Sequence, residues 1–375
     1  MQASPVQNRP GPTRLSLLLG GAWLALGLLA PLPESTLART ESAGPDPSAR
    51  QEQNRVDRIL AGTDAREQRD RLRGYIKGFV DRGAVPAAAM RIVWSERSAL
   101  QITAGLDHER RIPIASLTKS FTALAVMQLV EHGHIQLDEP VTRYGVKISG
   151  ARKGAGAITT RHLLQQTSGI LYGTRHQSGP AGERFTYSNG NYAHLARLIE
   201  NVSGLEGHEY IRANILVPLE MDDSRVSKSY SGSSGIASTA ADLARFGAML
   251  QAEGAYPGGR IIEAETLREM LKPPPFLKEK TDGVYYAHGF RVDLADGDMV
   301  SFFHAGLWNG CFAEVRVFPG LNAFLISMAT PESYRNQALN DYRWHTVQRA
   351  HKYLKSLDHA RRSAQPPTAA PRADR

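Results

Sequence analysis

A serine and a lysine three residues apart, Ser116-Leu117-Thr118-Lys119, stand at the head of the apolar stretch Ser120-Phe121-Thr122-Ala123-Leu124-Ala125-Val126-Met127. Residues three apart share one face of a helix, so the Lys119 amine can reach the Ser116 hydroxyl and take its proton. Backbone N–H groups left free at a helix start favour negative charge developing on a bound carbonyl. The bulky residues that follow argue for a buried helix. Taken alone the pair also fits a solvated helix that carries no chemistry. Ser116 is, however, the only serine in the chain with a lysine three places on.

Two further elements follow in order. Tyr187-Ser188-Asn189 lies in a polar, glycine-containing turn ahead of the helical pattern Ala193 to Val202, and His304-Ala305-Gly306 lies shortly before the run Cys311 to Phe318, which reads as a strand. With these three stretches the chain resembles the serine β-lactamase and penicillin-binding superfamily, whose signature set is S-x-x-K, S-D-N or Y-x-N, and K-T-G or a variant. The tyrosine form points to the class C branch. Leu163-Leu164-Gln165-Gln166-Thr167-Ser168-Gly169-Ile170 and Gly235-Ile236-Ala237-Ser238-Thr239-Ala240-Ala241-Asp242-Leu243-Ala244-Arg245-Phe246 extend the resemblance, which covers about Arg73 to Leu354. Tyr334-Arg335-Asn336 also fits Y-x-N but follows the glycine-bearing element, so Tyr187 is the candidate.

The resemblance implies an α+β fold: an antiparallel sheet flanked by helices, with an inserted all-helical lobe at about 116–230. The sequence pattern agrees. A helix from Arg69 to Arg82 leads into strands Ala87 to Trp94 and Ser98 to Thr103, joined by the tight turn Ser95-Glu96-Arg97. Helices are expected over Ser116 to Glu131, Thr160 to Gln166, Tyr192 to Val202, His208 to Leu216, Asp242 to Leu250 and Ala264 to Leu271. Strands follow at Phe290 to Leu294, Met299 to Phe303, Phe312 to Phe318 and Ala323 to Met328, then a last helix from Asn340 to Leu354. The hydrolase domain is placed at 69–357.

Arg9 and Arg14, the apolar run Leu15 to Leu29 and a small-residue site ending Thr36-Leu37-Ala38 have the three parts of a secretory signal peptide over residues 1–38. Cleavage after Ala38 predicts a periplasmic or secreted protein with no stable membrane span; an uncleaved leader would be an anchor. Residues 39–68 and 358–375 read as mobile flanks. Half of the formal charge of +8 sits in the leader and the terminal arginines, which sets aside a nucleic-acid partner. Cys311, the one cysteine, reads as a small buried apolar residue, and His132 with His134 as a solvated helix end. No metal and no cofactor are expected, and the oligomeric state is left open.

The expected chemistry is attack by Ser116 on an amide or ester carbonyl, with Lys119 and Tyr187 together as the base and the ammonium lowering the phenol's pKa. Asn189 can bond both a substrate amide and Lys119, or cap its own turn. Gly306 permits close backbone approach, and the Leu307 N–H joins that of Ser116 as an oxyanion donor. His304 stands where the family often has lysine, which weakens the case for a substrate carboxylate. Trp308 and Asn309 shape the acyl side or simply pack. The partner is a small-molecule or peptide substrate, and the alternative to a hydrolase is a slowly deacylating binding or sensor protein.

Overall fold

The computed structural model describes residues 64–148, 157–174, 176–177, 179–274, 283–308, 310–333, 335 and 337–363. The predicted leader, Asn309 and the end of the predicted tail lie outside them. A seven-stranded antiparallel sheet is built from both ends of the chain: β1 (Ala88–Trp94) and β2 (Arg97–Ala104), then β3 (Gly283–Tyr286), β4 (Arg291–Ala295), β5 (Asp298–Trp308), β6 (Cys311–Phe318) and β7 (Ala323–Ala329). Its order is β2-β1-β7-β6-β5-β4-β3, so the first hairpin docks on the last strand, with Ala88 opposite Ala329 and Trp94 opposite Ala323. β6 and β7 are buried at every position, as central strands covered on both faces are.

Alternation along the strands assigns each face to a layer. Phe312, Phe318, Leu325, Ile92 and Ile102 meet α1 (Asp64–Asp81) and the carboxy-terminal helix Gln337–Ser363, through Leu72, Ile76, Tyr342 and Leu354. Ala313, Val315, Val317, Ile326 and Met328 face the inserted part of the chain. There α2 (Thr118–Glu131) is buried from Thr118 to Leu129, as a helix apolar on all sides must be. α3 (Asn189–Ser203) packs on α2, and α4 (Ala240–Gln251) on β7. A small sheet of Ile112–Pro113, Ile236–Ser238 and Arg225–Val226 edges this helical lobe.

Two helices run longer than expected. α1 begins at Asp64 rather than Arg69, because Ala65 and Gln68 continue its buried stripe and Gln68 Nε2 donates to Asp64 Oδ1 at 2.9 Å. The last helix, α5 (Gln337–Ser363), continues past Leu354 into the predicted flexible tail. Leu357 is fully buried there, and Asp358 accepts from Arg361 at 2.9 Å and Arg362 at 2.7 Å. β5 likewise carries on through His304 to Trp308 instead of ending at Phe303. Among the described residues no helix is long and apolar enough to cross a membrane.

Candidate active site

Ser116 sits on a tight 3-10 turn, Ala115–Leu117, that runs into α2. Ala115 holds φ +44°, a left-handed backbone for a residue with a Cβ, and strain of this kind gathers where the fold must aim one side chain. Lys119 follows in the first turn of α2 with no exposed surface. Its Nζ lies 2.9 Å from Ser116 Oγ and donates to the Ser233 carbonyl at 3.3 Å. Burial in this corner, with no carboxylate in contact among the described residues, pushes its pKa down from 10.5 to about 7. At neutral pH about half of the amine is therefore free to accept a proton.

The Tyr187 phenol is hydrogen-bonded to the Ser116 side chain, and its ring centroid lies 4.9 Å from Lys119 Nζ. The three groups expected from sequence to work together are thus in contact. One expectation is reversed: the phenol's pKa is raised by burial, with the Ser116 hydrogen bond and the Arg291 charge opposing in part. The reason is the phenol's own burial, and Lys119, which loses its proton near 7, no longer carries a charge in the higher range where a phenol ionises. Lys119 is left as the group that titrates in the working range.

A residue not singled out from sequence holds Tyr187 in place. Gln166 is fully buried at φ +61°. Its carbonyl accepts from the Thr186 N–H at 2.8 Å and its Oε1 from the Ser188 N–H at 2.9 Å, so it grips the backbone on both sides of Tyr187. Gln166 Oε1 also accepts from Asn191, whose own Oδ1 accepts from Ser168. The leucine-rich segment ending Thr167-Ser168-Gly169 is therefore the clamp of the Tyr-Ser-Asn turn. Ser188 caps α3 by accepting from the Gly190 N–H at 3.2 Å. A Cβ at Gly190 would stand 2.1 Å from the Thr174 carbonyl, so the turn admits only glycine there.

Asn189 reaches the cleft beside Ser116. The expected bond to Lys119 is not made: the amine is spent on Ser116 and Ser233, and Asn189 Oδ1 is buried with no partner. That leaves a buried acceptor unsatisfied beside the cleft.

The opposite wall is β5. β4 pairs with it only as far as Phe303, so His304 to Trp308 keep one edge open beyond β4. A Cβ at Gly306 would lie 1.7 Å from the Ile114 carbonyl and 2.8 Å from the Leu117 nitrogen. The strand thus runs against the turn that carries Ser116, which places Leu307 beside the nucleophile, and both residues line the cleft. His304 is not among the residues that line the cleft. It is 2% exposed, its Nδ1 lies 2.9 Å from the Ala305 carbonyl, and its Nε2 is 3.2 Å from the Tyr286 hydroxyl. Burial, with the Lys119 and Arg291 charges beside it, holds its pKa well below the usual value. It is a neutral packing group behind the wall, and the substrate-binding role expected of it has no support in its geometry.

Tyr286 links the two walls: its ring meets those of Tyr187 and His304 edge-on, at 6.1 and 5.8 Å between centroids. Arg291 stands over the Tyr286 ring at 5.7 Å and is the nearby cation that His304 is not. The aromatic run Val284-Tyr285-Tyr286 was the available signal for both the missed strand β3 and this residue. No cluster of three or more His, Cys, Asp or Glu able to hold a metal occurs among the described residues. The arrangement has the parts that acylation of a serine requires: a hydroxyl, an amine whose pKa burial lowers, a phenol bonded to that hydroxyl, and an open backbone edge opposite.

Comparison with known proteins agrees with this geometry. "Protein flp" of Staphylococcus aureus (strain N315) is 29% identical over 191 residues, 42% of this chain and 38% of that protein, so the chain spans under half the length of the curated relatives it matches. Among solved structures, the octameric penicillin-binding protein homologue from Pyrococcus abyssi superposes with a TM-score of 0.62 at 22% identity, over 78% of this chain and 80% of that one. EstCE1, described as a hydrolase with promiscuous acyltransferase activity, superposes with a TM-score of 0.64 at 14% identity, over 77% and 99%. At these identities the structural likeness speaks for the fold. The family model described as Beta-lactamase matches residues 72–348, and the chain belongs to that family.

Proposed function

We propose that this protein is a serine hydrolase that works through an acyl-enzyme on Ser116, cleaving a small amide, peptide or ester. The observation that carries the reading is the 2.9 Å contact between Ser116 Oγ and an amine whose pKa burial brings to about 7. A serine hydroxyl is a weak nucleophile unless a neighbouring base takes its proton as it attacks. Neutral Lys119 takes that proton, and Ser116 Oγ bonds to the carbonyl carbon. The oxyanion develops between the Ser116 turn and the open β5 edge at Leu307. Tyr187 passes the proton to the departing amine or alcohol, and water repeats the sequence in reverse to release the acid and restore Ser116.

Membership of the Beta-lactamase family supports the general class, and EstCE1, a hydrolase with acyltransferase activity on the same fold, is in keeping with acyl transfer through a serine. Export belongs to the same proposal and rests on the leader-like sequence of residues 1–38. Intact-protein mass spectrometry with a fluorophosphonate, a chromogenic cephalosporin and a p-nitrophenyl ester tests it. A Ser116-dependent adduct with multiple turnover of at least one substrate is expected, and Ser116→Ala loses both. A persistent adduct without turnover would instead favour the sensor reading, and labelling that survives Ser116→Ala would refute both.

A further inference from the structure

The cleft that opens at Ser116, about 530 Å³, is chemically lopsided. Neither Lys119 nor Tyr187 lines it, although both contact Ser116, so the proton-handling groups lie on the far side of Ser116 from the cleft. In acyl transfer the leaving group must depart towards the group that protonates it. The acyl part of the substrate then occupies the other direction, between the end of β5 and the strand Ile236–Ser238.

The cleft's apolar lining is Pro113, Ile236, Ala237, Leu307, Trp308 and Cys311, beside the uncharged Asn189, Ser227, Ser233 and Ser234. Trp308 remains 58% exposed, an indole left at the mouth of a cleft that its own strand shapes. Cys311 is buried and its thiol pKa is pushed up, so it presents an uncharged sulfur. Among the described residues the cation of the lining is Arg225, which turns its Nη1 to the backbone carbonyls of Asp222 and Ser224. No carboxylate lines the cleft among the described residues.

We propose that this half of the cleft is an acyl subsite for an uncharged, apolar acyl group of branched-chain or arylalkyl size. The proposal rests on the acyl-enzyme reading above and adds to it what the enzyme selects: the ester formed on Ser116 carries its apolar side chain against Trp308, Leu307 and Ile236, while the amine or alcohol leaves on the Tyr187 side with the proton. Burying each further methylene there accelerates acylation by about fourfold.

The test is the ratio of kcat/KM values within one preparation of the full chain, which an unfolded fraction does not alter. p-Nitrophenyl acetate, butyrate, hexanoate and phenylacetate are compared with mono-p-nitrophenyl succinate, whose acyl group ends in a carboxylate. Rates are expected to climb through the series and to fall at least about tenfold from butyrate to succinate. Ala237→Phe, which fills the subsite, is expected to flatten the hexanoate-to-acetate ratio by about tenfold, and Trp308→Ala to lower it by a smaller factor. A flat series, a succinate ester as good as butyrate, or a ratio unmoved in Ala237→Phe would overturn the subsite. Fluorophosphonate labelling run alongside separates the two claims. No label on Ser116 sinks the acyl-enzyme reading and the subsite with it, whereas labelling with a flat series sinks the subsite alone.

Discussion

The two walls of the cleft are made of different material. The wall of Ser116, Lys119 and Tyr187 consists of side chains whose protonation is set by burial: an amine brought to about 7, a phenol raised, and two backbone N–H groups clamped by one glutamine. The β5 wall consists of backbone and shape: a glycine that lets a strand touch a turn, an open edge, and an imidazole that is neutral and packed away. Under the proposed function, proton chemistry resides on one side of the substrate, and position and selectivity on the other. Substitutions should divide the same way, with large losses of rate on the first wall and small shifts of preference on the second.

The largest effect is expected at Lys119. Lys119→Met removes the base and should slow acylation of Ser116 by about 10²- to 10⁴-fold. Stability should move the other way. The folded amine loses its proton near pH 7 while the unfolded one keeps it to about 10.5. The unfolded chain binds more protons across that window, so stability rises with pH through it. Lys119→Met should thus be the more stable protein at pH 7, by about 1 kcal/mol or more, with the difference fading as pH approaches 10.5. Urea unfolding at two pH values checks the sign, and a variant less stable at pH 7 would show that the amine is not buried at a cost.

Gln166→Met comes next, on the same wall and with no contact to substrate. It strands the Ser188 N–H, which costs about 1–3 kcal/mol of stability. It also lets Tyr187 drift, so kcat per site titrated with fluorophosphonate should drop about 10²-fold. Gln166→Glu keeps an acceptor for that N–H and should recover part of the rate, which a purely structural role for Gln166 would not require. The smallest effect belongs to the β5 wall. His304→Gln should change the ratio of rates on carboxylate-bearing and uncharged substrates by about twofold at most, because a neutral imidazole has no charge to lose. A large loss on the carboxylate substrate alone would break the division between the walls.

The sequence made the first wall legible because its parts are local. Ser116 and Lys119 are one helical turn apart, and Tyr187 sits in a turn marked by its own polar residues. What it hid were contacts between distant segments. Gln166 reaches Ser188 across 22 positions, and nothing in its neighbours announces a left-handed backbone. The direction of the phenol's shift was misjudged for the same kind of reason: pairing with an amine was visible, but the burial of both groups was not. Helix ends followed suit. Asp64 to Arg71 is almost wholly charged, so the buried Ala65 and Gln68 of α1 carried no apolar signal. Asp358 looked like the start of a tail until its carboxylate was seen gripping Arg361 and Arg362.

The central claim is that Lys119, discharged by burial, is the base for Ser116, and the pH dependence of acylation tests it most directly. With an uncharged p-nitrophenyl ester or a fluorophosphonate in stopped-flow or quenched reactions, the second-order rate of Ser116 acylation should rise tenfold per pH unit below about pH 6. It should bend near 7 and stay level to pH 9, as expected for a single group losing its proton. A rate that keeps climbing to pH 10, the range of an ordinary lysine or phenol, would contradict the account.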